Sequence, residues 1–284
     1  MIQRLMDWYG RLPADRQRQL RRRVVTPAKR LLSRGVIAQP GFVIAKRLDQ
    51  SIPFKIWREG CYEPHLSDLF RKYLRPGDTF VDVGANVGYF TLLAAACVGP
   101  TGHVHSFEPN PRVFKELHRN VTLNRFGQVA LNNCALSNHA ETIQLWVNPE
   151  IDSGLASMRR TSELLTETFA CEAVTLDQYF AQKKPGKVRA MKLDVEGAEL
   201  LVVQGAENLL DSADRPDLIA LEAVQSHAAS FNTTTSAVAQ FLLSKGYILY
   251  YLGATEATFR LELFNIEEGV PDGTLVAAWK EALA

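Results

Sequence analysis

The chain has 284 residues, of which 46% are hydrophobic and 22% are charged, and its formal net charge is +1. These are ordinary values for a globular protein, and the length suffices to bury a sizeable core without disulfides or structural metals. Four cysteines without a CxxC pair indicate reduced thiols in a cytoplasmic protein, and no apolar run is long enough to span a bilayer.

The first 47 residues are strongly basic, with 12 Lys or Arg and two Asp. Apolar residues recur at helical spacing, and Pro13 and Pro27 divide the stretch into short helices. We therefore predict a basic helical arm over residues 1–40. It either contacts anionic lipid, an acidic partner or nucleic acid, or packs on the domain or on a second subunit of a homodimer. The packed arm is the favoured alternative, and nucleic acid is not an expected partner.

A lead-in segment is predicted over residues 41–75. Alternating apolar residues over 42–57 favour a β-hairpin or edge strands, and 64–74 favours a helix that ends before Pro76. The remaining residues, 76–284, are predicted to form the main domain.

The main domain begins with a strand, a glycine turn and a helix over residues 79–98. A second strand over 103–107 ends in Glu108, where a carboxylate can hold the two hydroxyls of a ribose. A dinucleotide motif would require glycine at the position of Asn86. Asparagine keeps the left-handed turn but not the pyrophosphate contact, so a nucleoside without phosphates fits better than NAD.

Strands and helices alternate through the rest of the chain, which predicts a doubly wound, mostly parallel sheet. Beyond Gly253, residues 258–264 or 274–279 are candidates for a final antiparallel strand. The polar stretch 152–168 is a candidate lid or substrate loop. Further strands are predicted at 129–134, 142–147, 171–174, 188–193, 218–221 and 247–252, and further helices at 110–123, 198–210 and 236–244.

Acidic residues follow two neighbouring strands of this predicted sheet. Lys192, Asp194 and Glu196 have period two and share a face, and the next strand ends in Glu222. Because open α/β sheets bind ligands at the carboxyl ends of their strands, we expect these acids at a site. The alternatives are a strand-end salt bridge between Lys192 and Asp194 and, for Glu199, a structural role at a helix start.

Three segments resemble the FkbM family of S-adenosylmethionine-dependent methyltransferases: V-D-V-G-A-N-V-G-Y-F-T (81–91), F-E-P-N-P (107–111) and M-K-L-D-V-E-G-A-E (191–199). The resemblance implies a Rossmann-like class I methyltransferase fold, with a mostly parallel seven-stranded sheet and helices on both faces. It also implies methyl transfer to oxygen, with a sugar, glycan or natural-product hydroxyl as the acceptor.

By this resemblance, the cofactor site comprises Asp82, Gly84, Asn86, Gly88, Glu108, Cys134, Ala135 and Asp194. The glycine turn lines the methionine end, Glu108 holds the ribose, and Cys134 and Ala135 flank the adenine. Asp194 lies near the methyl group. The candidate bases for the acceptor proton are Asp194, Glu196 and Glu63. A further hypothesis is a Mg²⁺ ion held by Asp194, Glu196 and Glu222.

Two other functions fit the same pattern. An NAD-dependent oxidoreductase would share the first strand, turn and helix, but Asn86 argues against it. A non-catalytic module that binds a partner or docks on a membrane through the basic arm would not need the intact glycines and Glu108. His103 and His105 are expected to be core or edge residues that are satisfied by hydrogen bonds, and His227 is a weaker base candidate. A cytoplasmic protein, in contact with the membrane surface if the arm binds lipid, is expected.

Overall fold

The computed structural model describes Arg16 and residues 32–147, 156–157, 167–254 and 258–279. Most of the predicted basic arm and of the predicted loop over 152–168 therefore lies outside the described residues. Among the helices described, none combines the length and the apolar character that crossing a membrane requires.

The lead-in is a hairpin followed by two helices: β1 (Val36–Gln39), β2 (Phe42–Ala45), α1 (Ser51–Glu59) and α2 (Pro64–Tyr73). Strand β2 and helix α2 lie where a strand and a helix were predicted, but β1 lies within the predicted helical arm (1–40), and strands over 51–57 were wrong. Ile52 and Ile56 are buried one helical turn apart, and Gly60 ends α1 in the left-handed conformation. The apolar residues of this stretch therefore lie on the buried face of a helix.

The first half of the main domain alternates as predicted: β3 (Thr79–Val83), α3 (Tyr89–Val98), β4 (His103–Phe107), α4 (Pro111–Asn124) and β5 (Val129–Asn132). A second, four-stranded sheet then follows: β6 (Ala135–Leu136), β7 (Glu141–Val147), β8 (Ala156–Ser157) and β9 (Glu167–Val174). Some of these strands were predicted, but their assembly into a separate sheet was not.

The second half begins with α5 (Leu176–Lys183), β10 (Ala190–Leu193), α6 (Glu199–Gln204), α7 (Glu207–Asp211), β11 (Leu218–Ala223), α8 (Gln225–Ala229) and α9 (Thr235–Ser244). The single helix predicted over 198–210 is two short helices. Gly205 separates them, and a Cβ there would lie 2.0 Å from the carbonyl oxygen of Ser137. The chain bends because this glycine packs directly on the β6 region.

The chain closes with β12 (Ile248–Ala254), β13 (Phe259–Leu263), a short 3-10 helix (Ile266–Glu268) and β14 (Gly273–Ala278). Both candidate segments beyond Gly253 are strands. The central sheet therefore has eight strands, one more than the predicted seven, in the order β13-β12-β14-β11-β10-β3-β4-β5.

Strands β11, β10, β3, β4 and β5 pair in parallel, and β14 runs antiparallel to both of its neighbours. Apolar clusters pack on both faces of the sheet, around Phe80 and Leu92 on one and Met191 and Leu242 on the other. The predicted doubly wound Rossmann-like fold is confirmed. Since β3 leads to β4 on one side and pairs with β10 on the other, a crevice opens at the carboxyl ends of β3 and β10.

Candidate active site

A cavity of about 270 Å³ occupies the crevice at the carboxyl ends of β3, β4, β10 and β11. Among the residues that line it are eight predicted from the sequence: Gly84, Asn86, Glu108, Cys134, Ala135, Asp194, Glu196 and Glu222. Strand ends that are 24 to 140 residues apart in the chain are thus brought to one place by the parallel sheet. The cavity is partly open, as a site for an exchangeable ligand must be.

The glycine turn forms the floor of the cavity between β3 and α3. Gly84 has φ of 77°, and a Cβ at this position would lie 1.8 Å from the carbonyl oxygen of Asp194. Only glycine allows the turn to approach β10 so closely. Asn86 has φ of 53°, the left-handed conformation expected for it. Gly88 lies outside the cavity lining, and its φ of 93° is a conformation that favours glycine.

Glu108 is a buried carboxylate that faces the cavity. Its Oε2 accepts the backbone N–H of Asn86 at 2.9 Å, and its Oε1 accepts that of Asn110 at 2.8 Å. Burial raises the pKa of Glu108 to about 7, against the opposing effect of these two hydrogen bonds. Each carboxylate oxygen keeps a further lone pair. The residue can therefore accept two more hydrogen bonds from a diol in the cavity.

Asp82 lies behind the turn, outside the cavity lining. It is fully buried, and its Oδ2 accepts the hydroxyl of Thr91 at 2.6 Å. Its Oδ1 has no hydrogen-bond partner among the described residues. The structure thus places this predicted cofactor residue where it supports the start of α3 and does not reach the cavity directly.

The wall beyond Glu108 is mainly apolar. Cys134 and Ala135, predicted to flank an adenine, line it together with Phe107, Leu136 and Leu145. Burial raises the pKa of the Cys134 thiol to about 11, so the thiol is neutral. A flat aromatic ring would find nonpolar surface here and few competing charges.

The opposite wall is acidic. Asp194 Oδ2 accepts the ammonium of Lys192 at 2.9 Å, and Lys192 is itself buried, with its Nζ 5.2 Å from the centre of the Phe90 ring. Asp194 therefore forms the predicted strand-end salt bridge and also lines the cavity, and its role towards a ligand stays a prediction. Glu199 accepts the N–H groups of Val195 and Gly197, which supports the structural role favoured for it.

Glu196 and Glu222 lie beside Asp194 and both face His227 from α8. The Nδ1 atom of His227 lies 3.2 Å from Glu196 Oε2 and 3.9 Å from Glu222 Oε2. Burial and the neighbouring Asp194 raise the pKa of Glu196 to about 7 and that of Glu222 to about 8. These carboxyl groups therefore titrate near neutral pH.

The Mg²⁺ hypothesis named Asp194, Glu196 and Glu222. In the described residues, the potential ligand atoms that lie within 4.8 Å of one another belong to Glu196, Glu222 and His227. Asp194 is held by Lys192 instead. The predicted set is thus not brought together as such, and a metal ion remains a hypothesis.

Glu63, the third base candidate, lies away from the main cavity. It starts α2 with φ of 43° and lines a smaller cavity of about 40 Å³ with Lys192, Asp194 and Glu222. Burial raises its pKa, and Lys192 opposes this effect. Glu63 thus lines a smaller cavity that shares Asp194 and Glu222 with the larger one, and only Glu196 lines the larger cavity directly.

Sequence reasoning missed the residues that the lead-in contributes to the cavity, namely Ser51, Ile52 and Tyr62. The Tyr62 ring packs edge-on against Tyr89, with ring centres 5.6 Å apart. The sequence carried one signal, since Tyr62 directly precedes Glu63, one of the predicted base candidates. His105 is a core residue as expected, with Nδ1 2.7 Å from the Tyr179 hydroxyl, and burial lowers its pKa to about 4.

Comparison with known proteins places this site within a recognised domain. Residues 82–249 match the family profile of the methyltransferase FkbM domain. The 31-O-demethyl-FK506 methyltransferase FkbM of Streptomyces tacrolimicus is 28% identical over 186 residues, 54% of this chain and 67% of the relative. The hexuronic acid methyltransferase AglP of Haloferax volcanii is 30% identical over 183 residues, 63% of this chain and 71% of the relative.

Among solved structures, a methyltransferase FkbM from Methylobacillus flagellatus aligns with a TM-score of 0.44 at 13% identity, over 74% of this chain and 50% of the other. The family match and the sheet order together confirm the class I methyltransferase fold that the sequence resemblance implied.

Proposed function

The chain belongs to the FkbM methyltransferase domain family and is an S-adenosylmethionine-dependent methyltransferase, and we propose that it methylates a hydroxyl oxygen of a sugar, glycan or natural-product acceptor. One observation carries the proposal. The family-specific turn, Glu108 and the strand-end acids all line a single cavity at the switch point of the sheet.

The cavity fits the cofactor in three respects. The floor at Gly84 has no side chain, so the methionine part can lie against the backbone. Glu108 presents free lone pairs to the two ribose hydroxyls, and the apolar wall at Cys134 and Ala135 receives the adenine. When bound, S-adenosylmethionine supplies an activated methyl group on a sulfonium. The protein then has to align the acceptor oxygen and exclude water.

Glu196 is the best placed of the three base candidates. It lines the main cavity, and its pKa of about 7 suits it to take up a proton near neutral pH. Asp194 is held by Lys192, and Glu63 lies in the smaller cavity behind it. The proposed step breaks the O–H bond of the acceptor, and Glu196 receives the proton as the oxygen gains the methyl group.

The acceptor class is inferred from what the relatives methylate. One relative is named for a 31-O-demethylated natural product and another for a hexuronic acid, and both names support a hydroxylated acceptor here. We assign the acceptor to the part of the cavity that is lined by Tyr62, Glu196 and Glu222. Aromatic and carboxylate side chains are common partners for polyhydroxylated ligands, because they pack on the ring and accept its hydroxyl hydrogens.

Transfer of a labelled methyl group tests the proposal. The purified protein is incubated with S-adenosylmethionine carrying a labelled methyl and with a panel of glycosides and macrolide polyols. We expect an O-methylated product with at least one acceptor, and a Glu196→Gln variant that retains cofactor binding but loses most of the rate. Label found only on nitrogen or sulfur acceptors would contradict O-methylation. A full rate in the variant would contradict the role of Glu196.

A further inference from the structure

Strand β13 (Phe259–Leu263) forms one edge of the central sheet. It pairs with β12 on one side, and within the described residues no strand pairs with its other side. An open edge presents unpaired backbone N–H and C=O groups, which can pair with a strand of another chain. The same strand carries Leu263, whose exposed fraction of 74% is the highest among the large hydrophobic residues described. This edge is therefore a candidate interface.

The backbone groups on the open side of β13 belong to alternate residues. One residue beyond the strand, Phe264 donates its N–H to the carbonyl oxygen of Leu249 in β12 at 2.9 Å. Because hydrogen bonding alternates along an antiparallel ladder, Glu262 and Arg260 also direct their N–H and C=O groups towards β12. The residues that direct these groups to the open side are Phe259, Leu261 and Leu263.

The side chains of β13 divide between the two faces of the sheet. Phe259 and Leu261 pack on the apolar cluster around Phe80, on the face that α2 covers. Arg260 and Glu262 lie on the opposite face, because side chains alternate along a strand. Both are exposed, and Arg260 Nε lies 3.4 Å from Glu262 Oε1. The edge thus carries one positive and one negative charge, two residues apart on the same face.

We propose that two copies of this chain form a homodimer in which their β13 strands pair about a two-fold axis at Leu261. The axis reverses the strand direction, so the pairing is antiparallel and the two sheets become continuous. At this register Arg260 lies opposite the partner's Glu262, and Phe259 lies opposite the partner's Leu263. The facing charges attract each other, and the exposed leucine packs against an aromatic ring. Because β12 and β14 lie between β13 and β11, the interface is separate from the cavity.

The two charges select this register over its neighbours. An axis at Arg260 or at Glu262 also lets outward backbone groups face each other, because both shifts keep the alternation of the ladder. The first of these axes places two arginines directly opposite each other, and the second places two glutamates there. Like charges in directly opposite positions destabilise a strand pair. Of the three axes, only the one at Leu261 gives each charge a partner of opposite sign and pairs all three outward-facing residues.

Charge reversal tests the proposal without cofactor or acceptor. Analytical ultracentrifugation of the full chain over a series of concentrations measures its mass, and we expect the wild type to sediment as a dimer. Arg260→Glu gives the edge two negative charges and Glu262→Arg gives it two positive charges, so each should raise the dimer Kd at least about tenfold. Arg119→Glu reverses an exposed charge on α4, the helix that connects β4 and β5 at the other end of the sheet. This matched control should leave the Kd unchanged.

Two further samples restore opposite charges across the axis, namely an equimolar mixture of the two single variants and the double variant Arg260→Glu/Glu262→Arg. Both should dimerise with a Kd close to that of the wild type. Wild-type protein that stays monomeric overturns the proposal. A dimer that the single reversals do not weaken, or that neither restoring sample recovers, also overturns it. Thermal melting shows that each variant is folded, and the mixture uses the same two variants as the single measurements.

Discussion

A Cβ atom placed on Gly84 would lie 1.8 Å from the carbonyl oxygen of Asp194. The two residues belong to the ends of β3 and β10, the neighbouring strands at which the order of the sheet reverses. This contact between a glycine and a backbone carbonyl brings the cofactor turn and the acidic wall to the same cavity. The close packing of these two strand ends is therefore the structural basis of the site.

Gly84→Ala should damage both folding and binding. The new methyl group would clash with backbone, and alanine would also have to adopt a φ of 77°. We expect the free energy of unfolding to fall by more than about 2 kcal/mol, with loss of cofactor binding in whatever remains folded. Chemical denaturation measures the first effect. Gly127→Ala is the control, because a Cβ there has no atom within 4 Å. Equal stability of the two variants would contradict the packing described.

Glu108→Ala should weaken binding of S-adenosylhomocysteine by about 1–3 kcal/mol, because charge-assisted hydrogen bonds to the ribose are lost. Titration calorimetry measures the change. Glu172→Ala, which removes an exposed carboxylate from β9, should leave the affinity unaltered. If Glu108→Ala binds as tightly as the wild type, the ribose lies elsewhere.

The stability of the free protein should decrease as the pH rises towards 8. Glu196 and Glu222 have pKa values of about 7 and about 8 in the fold, above the ordinary value of 4.5. A raised pKa means that the folded state binds the proton more tightly, so each ionisation between about pH 5 and pH 8 destabilises the fold. The charged groups around this pair are Lys192, Asp194, Glu199 and His227.

Thermal melting across this pH range measures the effect. In Glu222→Gln the contribution of one of these carboxyl groups is removed, and the fall in melting temperature should become shallower. A steeper fall in the variant would show that Glu222 is ionised at lower pH than described.

Cys134 provides a chemical reporter of cavity occupancy. It lines the cavity, and because burial raises its pKa to about 11, reaction with N-ethylmaleimide should be slow at neutral pH and faster at higher pH. S-adenosylhomocysteine at about ten times its Kd should slow the labelling about tenfold, since only the free protein reacts. Mass spectrometry of the peptides measures each site.

Cys61 does not line the cavity and is the internal control for this experiment. Its labelling rate should be the same with and without the ligand. Equal protection of both cysteines would point to a change of the whole fold. Labelling of Cys134 unaffected by the ligand would move the adenine away from the apolar wall.

Much of the fold was predictable because its signals are local. The strand over 103–107 and the turn at Gly84 and Asn86 follow from β-propensity and glycine spacing, and both are found where expected. Two predictions were wrong because the same pattern of apolar residues is compatible with more than one structure. The apolar residues of 51–57 lie on a helix face, and a single helical pattern over 198–210 is broken by contact of Gly205 with another segment.

Only the part of the cavity that strand ends form was predictable from the sequence. Parallel strands bring Glu108, Asp194 and Glu222 to one edge, and this edge could be inferred from the order of elements. Tyr62 could not, because it reaches the cavity through the docking of the lead-in on α3. Likewise, the placement of His227 beside Glu196 depends on the close approach at Gly197, a contact between segments 30 residues apart.

The most direct test of the account is calorimetric titration of the wild-type protein with S-adenosylmethionine, with NAD⁺ as the comparison ligand. We expect S-adenosylmethionine to bind at one site per chain and NAD⁺ not to bind detectably, because Asn86 replaces the glycine that a pyrophosphate requires. Binding of NAD⁺ alone, or of neither ligand, would contradict the central claim that this cavity is a methyl-donor site.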